Sequence, residues 1–450
     1  MIFTETYQGK QKTPEEFLGL LQEGDLLSTS IAAGQPRTLL NQLAQWKEKG
    51  PLKLFTGLLA FPYPCLTQEN ISTISGYYGP MERMLNEGKF NLSYQPLPFR
   101  GFEIFIREKK PRITLTTLSA MNDEGFLSFG VNAEAAYLPF VDAAQDPQRL
   151  AIAEINPKMP VVRGLPELGD NKIHIKHVDA VIESEQTLLQ LPEIKPQEIE
   201  TKIAENVIPL LQSGDTLQLG IGGIPNEVAR LLTETELGDF GVHSELISDG
   251  FLDLMESGKI TNSKKTLNPG KSIFSFALGS QRLYDFLDER NGHNQGRVLA
   301  APVSYVNDPS LVAGHESFVS INSGFMIDLS GQVCSESIGT RQYSGVGGQL
   351  EFVQGAFHSP GGRTILCFKS TYEKDGKLFS NIADHLLPGA IVSTPRHYVQ
   401  WVVTEFGRVN LFALTDEERP WALVKIAHPD FRDELSKAAQ EREDTVYFKR

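Results

Sequence analysis

The chain has 450 residues, 40% of them hydrophobic and 22% charged, with a formal net charge of −14 at pH 7. That length exceeds one ordinary core and predicts two globular domains. The acidic balance excludes a general binder of nucleic acid or anionic membranes, but leaves room for an anionic small molecule held by local donors.

Cys65, Cys334 and Cys367 lie far apart and form no CxxC, so neither a disulfide framework nor a zinc ribbon is indicated. The polar N-terminal stretch and the lack of a membrane-length apolar window point to the cytoplasm.

In chain order, a helix is predicted over Thr13–Leu21. The segment Leu20–Leu43 (LLQEGDLLSTSIAAGQPRTLLNQL) then reads as helix end, Gly-Asp turn, strand, small-residue turn, proline and helix. Strands are predicted over Arg112–Leu118 and Lys172–Ile182. The proline-bearing Gln186–Gln197 is the best linker, and a helix over Pro196–Leu211 begins at its end.

Leu210–Leu232 (LLQSGDTLQLGIGGIPNEVARLL) repeats the Leu20–Leu43 unit at an offset near 190. Its strand places Leu217, Leu219 and Ile221 on one side, and its helix buries Ile224, Val228, Leu231 and Leu232 at helical spacing. Gly220, Gly222 and Gly223 let a ligand approach the backbone, and the new helix offers unpaired N–H groups to an anion. The first copy has Ala32, Ala33 and Gly34 at the corresponding turn, so chemistry is expected in the second half. Such a repeat predicts two related open α/β domains with mostly parallel sheets, residues 1–190 and 191–450, with an active site between them.

Phe240–Gly250 (FGVHSELISDG) reads as a strand end turning into a helix over Phe251–Ser257, with Asp249 as its N-cap and Gly258 as its stop. Glu245 at that strand's C-terminal end points toward the usual ligand crevice of an open α/β sheet, although a solvated turn residue is the commoner fate of such a glutamate. A strand is predicted over Arg297–Val306. In the glycine-dense Arg341–Ile365, the amides of Gly345, Gly347 and Gly348 could meet a developing oxyanion, or the run could be a tight surface loop. A strand over Arg363–Lys369 and a helix over Phe431–Glu443 complete the pattern.

Several motifs fail. GIGGIP is not GxGxxG, because Pro225 replaces the last glycine; Gly270–Ser272 is not a P-loop, because Lys265 stands where the leading glycine is required. GxSxG is absent. His174 and His177 are expected on opposite faces of a strand, where they cannot share a metal, and no metal site is predicted.

Taken together, GIGGIPNEV, HSELISDG, SGVGGQLEF, VVTEFG (Val402–Gly407) and IAHPDFRDEL (Ile426–Leu435) resemble the acetyl-CoA hydrolase/transferase family of class I coenzyme A transferases. The 4-hydroxybutyrate CoA-transferases within it are nearest. SFGVNAEAAY (Ser128–Tyr137), NPKMP (Asn156–Pro160), YVNDP (Tyr305–Pro309) and INSGFMIDLSGQV (Ile321–Val333) extend the likeness over nearly the whole chain.

The resemblance implies a nucleophile at Glu245 and a coenzyme A site at Gly222, Gly223, Ile224, Pro225, Asn226, Ser344 and Lys369. It also implies an oxyanion or CoA-binding amide at Gly348, beside Gly347. Coenzyme A is then a substrate, exchanged between an acyl-CoA and a short-chain carboxylate through a glutamyl-CoA thioester, with no resident cofactor and a homodimer expected. The alternatives are an acyl-CoA hydrolase using the same glutamate and, more remotely, a silent CoA-binding protein. Glu351 stands where the family usually has Asp, and Arg408 where a small apolar residue is common. Met121 to Phe126, Ser275 to Leu278 and Gln349 are candidates for lining the acid pocket.

Overall fold

A computed structural model describes residues 3–47, 49–192 and 195–446. The chain packs as two compact units: one holds residues 1–192, 245–247 and 271–307, the other 193–244, 248–270 and 308–450. Glu193 and Ile194, within the expected linker, lie outside the described residues.

In the first unit seven parallel strands form one sheet: β1 (Leu26–Thr29), β2 (Leu52–Thr56), β3 (Ile71–Ser75), β4 (Leu92–Tyr94), β5 (Ile113–Leu118), β6 (Leu150–Ile155) and β7 (Ala180–Glu183), in the order β4-β3-β2-β1-β5-β6-β7. All six residues of β5 are buried, as expected for a central parallel strand covered on both faces. Two apolar clusters cover the sheet, one around Phe17, Leu39, Trp46 and Tyr63, the other around Phe129, Tyr137 and Phe140.

The second unit carries β8 (Thr216–Leu219), β9 (Gly241–Ile247), β10 (Phe318–Ser323), β11 (Arg363–Cys367), β12 (Trp401–Thr404) and β13 (Gly407–Asn410), in the order β9-β8-β10-β11-β12-β13. All these pairings are parallel except β12 with β13. The last three residues of β9, Glu245–Ile247, pack with the first unit. In each sheet the strand of the repeated segment sits where strand order reverses, at β1/β5 and at β8/β10. That is the switch point at which open α/β sheets bind ligands.

The repeat is visible in side-chain roles as well. Asp25 accepts the Gln22 amide at 2.7 Å and pairs with Arg112, just before β5. Asp215 accepts the Gln212 amide at 2.7 Å and pairs with Arg363, which opens β11. Each Gly-Asp turn therefore closes its own loop and ties it to a neighbouring strand.

Five local expectations change. Strand β8 ends at Leu219 and is buried on both faces, whereas Ile221 is 50% exposed beyond it, so alternation is not what seats the strand. Lys172–Ile182 breaks into Lys172–His174, a 3-10 turn at Ile175–His177 and β7. His174 and His177 therefore share no strand. Arg297–Val306 is a three-residue strand, Val298–Ala300, followed by a one-turn helix, Val303–Val306, because Pro302 lacks the N–H a strand ladder needs. Asp249 is the first helical residue rather than the N-cap, a position taken by Ser248. Leu231 is only half-buried on its helix, while Ile224, Val228 and Leu232 are buried.

Candidate active site

Glu245 lies third from the end of β9, between Ser244, which is buried, and Leu246. Leu246 joins an apolar cluster with Ile31, Phe102, Phe276, Leu278 and Val303, all in the first unit. The Leu278 amide donates to the Ile247 carbonyl at 3.1 Å, which holds the end of β9 beside the strand Ser272–Ala277. Apolar neighbours thus fix the backbone that follows a carboxylate they cannot solvate.

A polar group answers that carboxylate. Asn307 is fully buried at the C-cap of the helix Val303–Val306, where its amide donates to the Val303 carbonyl at 2.9 Å. Its side-chain Nδ2 donates to Glu245 Oε2 at 2.6 Å. Burial pushes the Glu245 carboxyl up to about 7, and the Asn307 bond, which favours the charged form, opposes that rise. The outcome is a carboxyl that titrates near neutrality on a residue that is half-buried as a whole.

Two further buried carboxyls stand in the same unit. Glu134 accepts the amides of Ile31 at 3.1 Å and Ala136 at 2.7 Å, and burial raises it to about 8. Glu103 accepts the Ser304 amide at 3.3 Å, and burial raises it to about 7.

The glycine turn of the second unit follows β8. Gly222, at φ +125° and ψ −179°, occupies backbone space open only to glycine, and it caps the helix Gly223–Thr233. A Cβ on Gly223 would meet the Glu200 carboxylate at 2.5–2.6 Å. Lys369 Nζ pairs with that same carboxylate at 3.0 Å and donates to Gln197 Oε1 at 2.8 Å. Gly223 and Lys369, far apart in sequence, are therefore brought together around Glu200. Asn226 meets the Ser248 hydroxyl at 3.3 Å, and Ile224 and Pro225 are buried under the turn.

The first-unit copy of this turn is closed. Glu154 of β6 presents Oε2 to the amides of Thr38 at 2.8 Å and Leu39 at 3.1 Å, in the first turn of the helix Arg37–Gln42. The protein's own carboxylate fills the place an anion would take there.

Gly347, at φ +60°, turns the chain so that Gly348 caps the helix Gln349–His358. The glycine-dense run is thus a helix entry. Ser344 precedes it, its amide donating to the Glu336 carbonyl at 2.9 Å, and Glu351 is buried in the helix's first turn.

Of the expected pocket-lining residues, Phe276 and Leu278 share the apolar cluster with Leu246. Met121 instead lines a cavity of about 500 Å³ with Tyr7, Ile155 and Glu183, and Glu245 is not among its lining residues. Asn122 builds a turn, its Oδ1 accepting the amides of Glu124 and Phe126. Gln349 begins the helix after Gly348.

Sequence reasoning does not single out Asn307, Glu103 or Glu200. The YVNDP segment holds a signal for the first: an Asn-Asp-Pro break ends one short helix, with the asparagine as its C-cap, and starts another, Pro309–Ala313. Glu103 and Glu200 look like ordinary surface glutamates of amphipathic helices. Among the described residues, no group of three or more His, Cys, Asp or Glu could hold a metal ion, and no helix is long and apolar enough to cross a membrane.

Parallel sheets with glycine turns at their switch points and a strand-borne carboxylate titrating near neutrality define an α/β enzyme. Models of the acetyl-CoA hydrolase/transferase N-terminal and C-terminal domains match residues 2–191 and 279–439. The chain is 36% identical over 449 residues to a 4-hydroxybutyrate coenzyme A transferase of Clostridium kluyveri, covering 98% of this chain and 100% of that one. It is 39% identical over 355 residues to a probable butyrate:acetyl-CoA coenzyme A-transferase of Syntrophomonas wolfei, covering 78% and 76% of the two chains. The crystal structure of RipA from Yersinia pestis superposes with a TM-score of 0.88 at 33% identity, covering 98% of this chain and 100% of that one. The protein belongs to the acetyl-CoA hydrolase/transferase family.

Proposed function

We propose that this protein is a CoA-transferase that moves coenzyme A between an acyl-CoA and a short-chain carboxylate of the butyrate, 4-hydroxybutyrate or acetate kind, with Glu245 as nucleophile. The observation that carries the reading is a carboxylate at the end of β9 that is raised to about 7 and held by Asn307. The two halves of the chain, 1–190 and 191–450, supply the α/β framework, and the nucleophile comes from the second.

A Glu245 carboxylate oxygen attacks the acyl carbonyl carbon and the C–S bond breaks, leaving an acyl-glutamyl anhydride and CoA thiolate. The thiolate attacks the glutamyl carbonyl carbon, which releases the first acid and leaves a glutamyl-CoA thioester. The acceptor carboxylate attacks the glutamyl carbonyl carbon of that thioester and the C–S bond breaks, giving a second anhydride and freeing CoA thiolate. Thiolate then attacks its acyl carbon, restoring the Glu245 carboxylate and releasing the new acyl-CoA. The thioester is conserved throughout, so no external energy source is required.

Burial favours this route energetically. A rise from 4.5 to about 7 makes the ionised side chain on the order of 3 kcal/mol more costly than it is in water. Acylation removes that charge, so each covalent intermediate is relieved of the burden. Gly347 and Gly348 would offer amides to the tetrahedral oxyanions, and Gly222–Asn226, Ser344 and Lys369 would hold parts of the CoA arm. In that arrangement a CoA phosphate competes with Glu200 for Lys369.

The test is mass spectrometry of the protein after exposure to acyl-CoA alone, followed by borohydride reduction. A transferase accumulates glutamyl-CoA, and reduction converts Glu245 to the corresponding alcohol. Steady CoA release with no acid requirement would instead mark a hydrolase, and a Glu245→Ala variant with full activity would remove the assignment.

A further inference from the structure

We infer that Glu103 is a positioning residue for the reacting carboxylate, acting through Ser304 and Asn307; the inference rests on Glu245 being the nucleophile. Glu103 projects from the helix Phe99–Lys109 and is fully buried. Its Oε2 accepts the backbone amide of Ser304, the second residue of the helix Val303–Val306. That helix is a single turn, and Asn307 at its end donates to Glu245.

A one-turn helix cannot hold its own shape in water, because nucleation fixes several dihedrals for one hydrogen bond. Its N-terminal amides need an acceptor, and its N-cap, Pro302, makes no side-chain capping bond. Glu103 supplies the acceptor from across the packing interface, while Val303 anchors the same turn in the apolar cluster with Phe102 and Ile106. Both ends of the turn are thereby bound to carboxylates: Glu103 fixes its entry and Glu245 receives its exit. A slack entry would let Asn307 swing, and the 2.6 Å bond to Glu245 depends on its staying put.

Other charged groups around Glu103 do not replace this role. Arg107 approaches Oε1 only to 3.9 Å and is committed to Asp142 at 2.7 Å. The charge of Glu103 also makes ionisation of Glu134 more costly. Burial of an acceptor that costs free energy to keep is explained by what it holds.

The experiment is a double-mutant cycle on the full-length enzyme with Glu103→Ala, Glu103→Gln and Asn307→Ala. Glu103→Ala is expected to lower kcat at least about tenfold with the acyl-CoA KM within about twofold, because only the reacting group is displaced. The midpoint of its pH–kcat/KM profile should move in the alkaline direction, the same direction expected on removal of Asn307. Glu103→Gln keeps an acceptor oxygen and should recover kcat to within about threefold of the wild type. In the Asn307→Ala background, Glu103→Ala should change kcat by less than about twofold, since its only route of action is gone.

Wild-type kcat and pH midpoint in Glu103→Ala, or the same fold-loss in both backgrounds, would overturn the inference. If the alanine variant does not purify folded, Glu103→Leu fills the volume without an acceptor and takes its place in the cycle. Borohydride trapping on the wild type separates the two readings. An unmodified Glu245 defeats the nucleophile assignment, whereas a trapped Glu245 with an additive cycle defeats only the role of Glu103.

Discussion

Replacing Glu245 by Gln should stabilise the protein at high pH and do much less at low pH. The native carboxyl titrates at about 7 against 4.5 for an ordinary glutamate, a raised value caused by burial. Between those two values the native state binds more protons than the unfolded chain, so stability falls as pH rises. The contribution is fully present below about 4.5 and is lost as pH passes through about 7, for a total on the order of 3 kcal/mol. Glutamine is neutral throughout and keeps an oxygen for the Asn307 amide, so it escapes the loss.

Urea unfolding of both proteins at pH 5 and pH 8 measures the effect as a difference of differences, which cancels Glu103, Glu134 and every other titrating group. The Glu245→Gln variant should gain on the wild type by roughly 2–3 kcal/mol between the two pH values. An equal difference at both pH values, or a wild type that gains at pH 8, would refute the argument that burial sets the affinity of Glu245 for its proton. The same substitution should abolish transfer, so stability and activity would move in opposite directions.

Asn307→Ala removes a hydrogen bond to the charged form, worth about 1.5–3 kcal/mol, and should shift the kcat/KM midpoint upward by about one to two pH units; pH-rate profiles check it. Gly222→Ala imposes a side chain at φ +125° and should cost about 1–3 kcal/mol of stability while raising the acyl-CoA KM, as thermal melts and steady-state kinetics would show. Glu154→Ala strips the Thr38 and Leu39 amides of their acceptor and should destabilise by about 1–3 kcal/mol with the acyl-CoA KM unchanged. A raised KM there would mean that the closed copy of the turn takes part in binding.

Sequence alone was sufficient for the strand–turn–helix repeat, because its marks are local. Gly-Asp turns and a proline at a helix start are backbone rules, and the turns before β1 and β8 and the helices after those strands obey them. It also marked the glycine turns, and it left Glu245 with either a catalytic or a solvated reading until the family resemblance implied the nucleophile. The GIGGIP turn's departure from GxGxxG, and the family resemblance across the chain, narrowed the chemistry further.

Tertiary structure decided which groups those features meet. Glu154 closes the first copy of the turn across 116 positions, and Glu200 sits between Gly223 and Lys369 in the second. Asn307 reaches Glu245 across 62 positions, and Glu103 reaches Ser304 across 201. Hydrogen bonds of that separation leave no period or spacing to read. The pKa of Glu245 is likewise a property of its surroundings, since burial is the sum of what the whole chain packs around one side chain. Local rules marked the strand end that carries Glu245; long-range packing buried its carboxyl and raised it to about 7.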